Sequence, residues 1–290
     1  MLGILLIDKP AGITSHDVVN DIRRRFGTKR VGHAGTLDPL ATGLLVVAVG
    51  PATRFLQYLP LEPKVYVAEI AFGHSTATYD AEGELSEAKP LPSDLSRAIE
   101  EALPRFRGLI QQMPPMYSAV KVGGRPLYKY AREGKEQVRE FRTVHIDSFE
   151  ILVIEGSTAK ARICCSGGTY IRSLANDLGE AIGCGAYLKS LVRTDVGRFN
   201  LSQAAPLDRV QQSLLIPLNE ALPPMPLIPL DEVQTANIRE GRPIGLSEPP
   251  EANLAALLDP SGYVFSVARI IGNLVQPECV IPSEVPHGTA

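Results

Sequence analysis

The stretch VGHAGTLDPLATGLL, residues 31–45, sets one carboxylate, Asp38, among three glycines, Gly32, Gly35 and Gly43. No GK[ST] step accompanies the glycines, and an acid stands where an anion would have to sit, so the loop is not a phosphate cradle. No second acid is marked as the partner that a glycosidase pair needs. A lone carboxylate here fits two descriptions: an Asp-Pro turn that caps the next segment, or a nucleophile for an electrophilic carbon such as a sugar C1′ or an activated pyrimidine. Local residues leave both open. The four cysteines, Cys164, Cys165, Cys184 and Cys279, show no CxxC spacing and no histidine at zinc-finger distance, which reads as reduced, mostly buried thiols and no metal site.

The elements that must position Asp38 can be read from pattern. GILLIDK is a short buried strand ending in a Pro/Gly turn. Thr14 or Ser15 caps an amphipathic helix over HDVVNDIRRRFG, with Val18, Val19 and Ile22 on one face and Gly27 beyond its end. LLVVAVG, following the loop, is a β-branched run suited to a central strand, and KVYVAEIAF (64–72) alternates as a half-buried strand does. Residues 93–106 read as a helix capped by Ser93, with Ile99, Leu103 and Phe106 inward. Residues 149–154 and 160–165 are strands, and GGTYIRSLANDLGEAIGCGAY is a Gly-led turn feeding a helix. Strands and helices alternate without a βαβ rhythm, so the fold class is α+β, a mixed and mostly antiparallel central sheet flanked by helices. The proline-rich segment 217–229 reads as a stiff linker with few shared core contacts. Beyond it, LAALLD and GYVFSVARII joined by DPSG suggest a small β-rich module over 230–282, then a tail, 283–290.

At 290 residues and 44% hydrophobic the chain can bury a large core, and no apolar run reaches bilayer length, so a cytoplasmic location without a membrane partner is expected. The net charge of −3 hides an asymmetry. Residues 220–290 hold nine acids and three arginines, which leaves the first 219 residues at +3. Arg23, Arg24, Arg25, Lys29 and Arg30 lie close together, and Lys121 to Arg142 carries seven basic residues against three glutamates. Such patches attract phosphates whatever the total charge.

Five segments carry a resemblance: DKPAGITS (8–15), GHAGTLDPLATG (32–43), KVYVAEIAFG (64–73), QMPPMYSAVKVGGRPLYKYAREG (112–134) and CSGGTYIRSLANDLG (165–179). In this order they closely resemble bacterial tRNA pseudouridine-55 synthases of the TruB type, over roughly residues 1–200. The resemblance implies the pseudouridine synthase fold, with a catalytic domain over 1–216 that includes an RNA-binding insertion, 113–142, and with a PUA-like module at 230–282. It implies isomerisation of uridine 55 in the tRNA T loop on a flipped-out nucleotide, without cofactor or metal. Asp38 is then the nucleophile, and one acid suffices because uracil is both leaving group and returning nucleophile. Arg172 matches the arginine that pairs with that aspartate, and the physics agrees, because a guanidinium keeps a buried carboxylate ionised. Tyr66 matches the tyrosine that stacks on the uracil, its hydroxyl a candidate for the C5 proton. Tyr170 and Leu191 match base-pocket positions, and His33 matches the histidine that fills the stack where the nucleotide leaves. Lys121, Arg125 and Lys129 fall in the insertion, whose cations interleaved with aromatics suit phosphate contact and base stacking. Lys9, Pro10 and Gly12 match a motif that shapes the turn beside the site. The glycines are expected to let the backbone approach the flipped nucleotide. The implied partner is the T-arm stem-loop of tRNA, bound by a monomer with no protein partner. The main rival is a non-catalytic tRNA-binding protein or folding chaperone, which would gain nothing from a buried anion. A carbohydrate-active enzyme would need a second acid and has no use for the basic patches.

Overall fold

The computed structural model describes residues 1–282; the expected tail, 283–290, lies outside them. Strand β1 (Gly3–Lys9) leads to helix α1 (Ser15–Phe26), then β2 (Val31–Ala34), the Asp38 loop, β3 (Thr42–Val49), a 3-10 stretch (Gly50–Tyr58) and β4 (Lys64–Phe72). After a long loop come α2 (Leu95–Ala102), β5 (Gly108–Gln112), a minimal hairpin of β6 (Lys121–Val122) and β7 (Arg125–Pro126), α3 (Leu127–Ala131), β8 (Arg142–Glu155) and β9 (Thr158–Cys165). Helix α4 (Ile171–Ile182) feeds β10 (Ala186–Val196), followed by β11 (Phe199–Asn200) and β12 (Ala205–Pro206). The chain ends in α5 (Leu218–Ala221), β13 (Leu227–Pro229), α6 (Glu232–Arg239), β14 (Ile244–Gly245), β15 (Leu254–Leu258), β16 (Val264–Ile271) and β17 (Leu274–Val280).

The main sheet runs β12-β1-β3-β10-β4-β9-β8-β5, with β2 also on β3 and β11 on β10. Only the β1–β12 and β3–β10 pairings are parallel, so the mixed, mostly antiparallel expectation holds. The unbroken apolar run of β3 has a physical cause in this architecture: the strand is covered on both faces. Leu45, Val47 and Val49 pack with Val18, Val19 and Ile22 of α1. Leu44, Val46 and Ala48 share a core with Phe55 and with Ala256, Phe265, Val267 and Val275 of the C-terminal module.

That shared core overturns the expectation of few contacts across the linker. Within 217–229, Leu218, Ala221, Leu222 and Ile228 are all buried in it, and β13 pairs in parallel with β15. The prolines there interrupt regular structure, but the apolar residues between them dock a five-stranded sheet, β13-β15-β16-β17-β14, onto the main one. Burial of each of the three large side chains among them, Leu218, Leu222 and Ile228, contributes about 1.5–3 kcal/mol.

Three further elements refine the sequence reading. Asp94 caps α2 in place of Ser93, accepting from the Arg97 N–H at 3.0 Å, and the last turn, Leu103–Phe106, tightens to 3-10. The strand read at 149–154 is the second half of a fourteen-residue one, β8. Strand β10, which lies between β3 and β4, has no counterpart in the sequence reading. Among the described residues no helix is long and apolar enough to cross a membrane.

Candidate active site

The Asp38 loop is clamped from below by the first turn of the chain. Thr14 caps α1 reciprocally with Asp17, which brings Ser15 under the loop. The buried Ser15 hydroxyl accepts from the Leu37 N–H at 2.8 Å and donates to the Leu37 carbonyl at 3.0 Å. Gly12 N–H donates to the Pro39 carbonyl at 2.9 Å. Lys9 is fully buried and its ammonium donates to the carbonyls of Pro10 (2.9 Å), Ile13 (2.7 Å) and Pro39 (3.4 Å). Burial brings its pKa down to about 8, against the pull of Asp38. The DKPAG motif thus shapes the turn beside the carboxylate through three carbonyls.

The expectation that the loop glycines admit the nucleotide is corrected at Gly43. Its φ is +96°, and a Cβ there would stand 2.4 Å from the Arg193 carbonyl oxygen, so the missing side chain serves the close approach of β3 and β10.

Helix α4 supplies the partner of Asp38. The backbone of Tyr170, its N-cap residue, is gripped at both ends by the buried Gln112 side chain, whose Oε1 accepts from Tyr170 N–H at 2.8 Å and whose Nε2 donates to the Tyr170 carbonyl at 3.0 Å. Arg172, in the first turn, is 6% exposed and places Nη2 2.8 Å from Asp38 Oδ2. Its Nη1 lies 3.6 Å from Oδ2 of Asp80, which is buried and also accepts from the Thr78 hydroxyl at 2.6 Å through Oδ1. One guanidinium therefore spans two carboxylates, one sealed in the protein and the other with a side chain 38% open to solvent. Burial pushes the Asp38 carboxyl above the usual range and Asp80 adds to this, while Arg172 and Lys9 pull it back toward ionisation. Glu82 is pushed in the same direction by burial and by Asp80 and Asp38, which places a third carboxylate within electrostatic reach of the site.

Tyr66 enters from β4 and Leu191 from β10, and both join Leu37 and Ala41 of the loop in one apolar cluster. Burial raises the Tyr66 phenol, opposed by Arg193. The Arg172 guanidinium lies 6.0 Å from the centre of the Tyr170 ring. His33 sits on β2, half-buried, with Nδ1 enclosed and lacking a hydrogen-bond partner. Burial and then Arg193 lower its pKa, so the ring is neutral at neutral pH and can enter an apolar stack. Asp38, Arg172, Tyr66, Leu191 and Tyr170 therefore meet in one region, drawn from residues 38–66 and 170–191, and His33 joins it through Arg193, whose charge acts on both His33 and Tyr66.

The basic residues of the insertion lie apart from this cluster. Lys121 and Lys129 are exposed on the β6–β7 hairpin and α3. Arg125 is engaged already, paired with Glu133 and lying 4.7 Å from the centre of the Tyr130 ring. Sequence reasoning missed Asp80, Glu82, Lys64 and Arg193. No local signal marks the last of these, since half of the residues in YLKSLVRTDV are polar or charged.

Comparison with known proteins places the molecule among the pseudouridylate synthases. The fold superimposes on the chain solved in a Cbf5–Nop10–Gar1 complex with a TM-score of 0.69 at 27% identity, covering 97% of this chain and 85% of that one. Residues 23–171 match the N-terminal domain of TruB family pseudouridylate synthase, and residues 172–233 match the tRNA pseudouridylate synthase B C-terminal domain. The chain is 40% identical over 294 residues to tRNA pseudouridine synthase B of Stutzerimonas stutzeri (97% of this chain, 96% of the relative). It is 42% identical over 295 residues to that of Mycobacterium bovis (98% and 97%). The chain belongs to the TruB family. The two matched stretches meet between Ile171 and Arg172, so the Asp38–Arg172 pair joins one to the other.

Proposed function

We propose that this protein converts uridine 55 in the T loop of tRNA to pseudouridine. The observation that carries this reading is the Asp38–Arg172 pair at 2.8 Å, its arginine buried and its carboxylate partly open to solvent, in a chain 40% identical to curated tRNA pseudouridine synthase B. The nucleotide is extruded from the loop and its base lies on Tyr66, lined by Leu191 and Tyr170, while His33 takes the vacated place in the stack. Asp38 is the nucleophile, and Arg172 keeps it ionised and aimed. The C1′–N1 bond breaks, the uracil turns, and a C1′–C5 bond forms. The hydrogen once on C5 leaves for solvent and N1 gains one, so atoms balance without a cofactor. The Tyr66 hydroxyl is a candidate to carry the C5 proton.

Lys121, Arg125 and Lys129 hold the backbone of the T-arm stem-loop. We read residues 1–216 as the catalytic unit with its RNA-binding insertion at 113–142, and 230–282 as a PUA-like module. We read the protein as a cytoplasmic monomer that acts on RNA without a protein partner. Incubation with an unmodified tRNA transcript carrying C5-tritiated uridine tests the proposal. Release of one equivalent of tritium per tRNA is expected. Tight binding without release would return the protein to the class of tRNA chaperones.

A further inference from the structure

Arg193 is the most voluminous of the fully buried side chains, 1% exposed, and forms no ion pair with any carboxylate among the described residues. A buried charge without a counter-charge is costly, and folds retain one only where it does something an apolar residue could not. Its donors show where it acts. Nε donates to the Leu44 carbonyl at 2.8 Å and Nη2 to the Gly35 carbonyl at 3.1 Å, the two ends of the Asp38 loop. On the sheet, Arg193 pairs in register with Gly43 of β3 on one side and with Tyr66 of β4 on the other. Directly opposed residues of antiparallel strands point to one face, so the two side chains lie side by side, and the charge of Arg193 acts on the Tyr66 phenol. Nη1 lies 3.3 Å from where a Cβ on Gly35 would stand, and Lys64 Nζ lies 3.4 Å from the same point.

We infer that Arg193 is a positioning residue for the reaction, tying both ends of the Asp38 loop to the Tyr66 strand and fixing the Tyr66 hydroxyl against the base. Its charge is answered when negative charge gathers on that oxygen, which is why an arginine and not a neutral donor occupies the position. The inference rests on the proposed function for the meaning of Tyr66, and its geometry stands without it. The groups whose charge acts on the phenol are Arg193 from β10, Cys165 from β9 and Asp38 from the loop, with Lys64 two residues earlier on β4 close to Gly35. Lysine would keep the charge beside the phenol but lose the fork that reaches both carbonyls together.

The test replaces Tyr66 by 3-fluorotyrosine, whose phenol ionises at lower pH, and follows its fluorine resonance against pH in the free protein. Arg193→Gln should raise the midpoint by about one pH unit or more, and Arg193→Lys by less. In parallel, single-turnover tritium release with enzyme in excess is compared for Arg193→Lys in the parent and Tyr66→Phe backgrounds. A loss of about tenfold is expected in the parent background and less than about twofold in the Tyr66→Phe background, at tRNA affinity within about twofold of the parent. If Arg193→Gln does not fold, the Arg193→Lys comparison decides alone. An unmoved midpoint, or equal losses in both backgrounds, would overturn the inference and leave Arg193 a structural cross-link. Because the fluorine titration needs no turnover, failure of the proposed function remains distinguishable from failure of this one.

Discussion

Around Asp38 the cations are buried and held on fixed partners, whereas along the insertion, residues 113–142, they stand nearer to solvent and pair loosely. Arg172 bridges Asp38 and Asp80 at 2.8 and 3.6 Å from a largely dry position. In the insertion, Lys135 meets Glu133 at 3.2 Å with both side chains well exposed, a kind of pair that contributes little. The same residue types therefore do different work. In the site an ion pair sets protonation and geometry. In the insertion a cation is free to exchange its salt partner for a phosphate.

The contrast would suffer most from removal of the bridging guanidinium. Arg172→Gln leaves the sealed Asp80 and the partly open Asp38 without their shared cation, and a loss of about 10²- to 10³-fold in rate is expected, the scale for removing one preorganised electrostatic partner. The sign of the pH effect follows from what holds Asp38. Burial raises its pKa and Arg172 lowers it, so the rate of the unmodified protein rises with pH as Asp38 ionises and falls as pH drops through that pKa. Arg172→Gln removes the lowering influence and should move this acid limb to higher pH in single-turnover tritium release. A limb that stays in place would show that Arg172 does not act through Asp38.

Smaller losses are expected where the site offers surface in place of charge. His33→Ala or Tyr66→Ala should each cost on the order of 1–3 kcal/mol in catalytic efficiency, the range for one stacked base. Tyr66→Phe separates ring from hydroxyl. A rate equal to that of the parent would remove the hydroxyl from proton transfer while leaving the stacking role intact.

The smallest effects belong to the insertion, where the structure ranks the three cations. Lys121→Gln with Lys129→Gln should flatten the dependence of tRNA affinity on log salt by about two units. Arg125→Gln should change it less than either lysine, because Glu133 already neutralises that guanidinium. Equal contributions from all three would mean that the Arg125–Glu133 pair opens on RNA.

How far the site was legible follows from how local each signal was. The capping box of α1, the β3 run and the Asp38 loop are written in consecutive residues, and each could be read there. Asp80 sits in an irregular loop, and only the tertiary fold brings it to Arg172. Strand β10 was invisible because bulges between Leu188 and Ser190 and between Arg193 and Asp195 break its two-residue period, so nothing in the sequence marked Arg193 as buried. The segment 217–229 was misjudged by composition. Its prolines suggested a linker, while Leu218, Leu222 and Ile228 were the residues that mattered. Asp38, Arg172, Tyr66, Tyr170, Leu191 and His33 were reached through resemblance, since an Asp-Pro turn and strand tyrosines are common for other reasons.

Everything proposed for the site depends on one carboxylate, held by one arginine, being the nucleophile. Asp38→Asn conserves shape and removes that charge, so the decisive quantity is its tritium-release rate on tRNA, measured beside its tRNA affinity. Loss of turnover to below about a few percent, with affinity near that of the parent, is the result expected of a group used only in the chemical step. Retention of more than about a few percent of the parent rate would contradict it, because a neutral amide cannot supply the attacking oxygen anion.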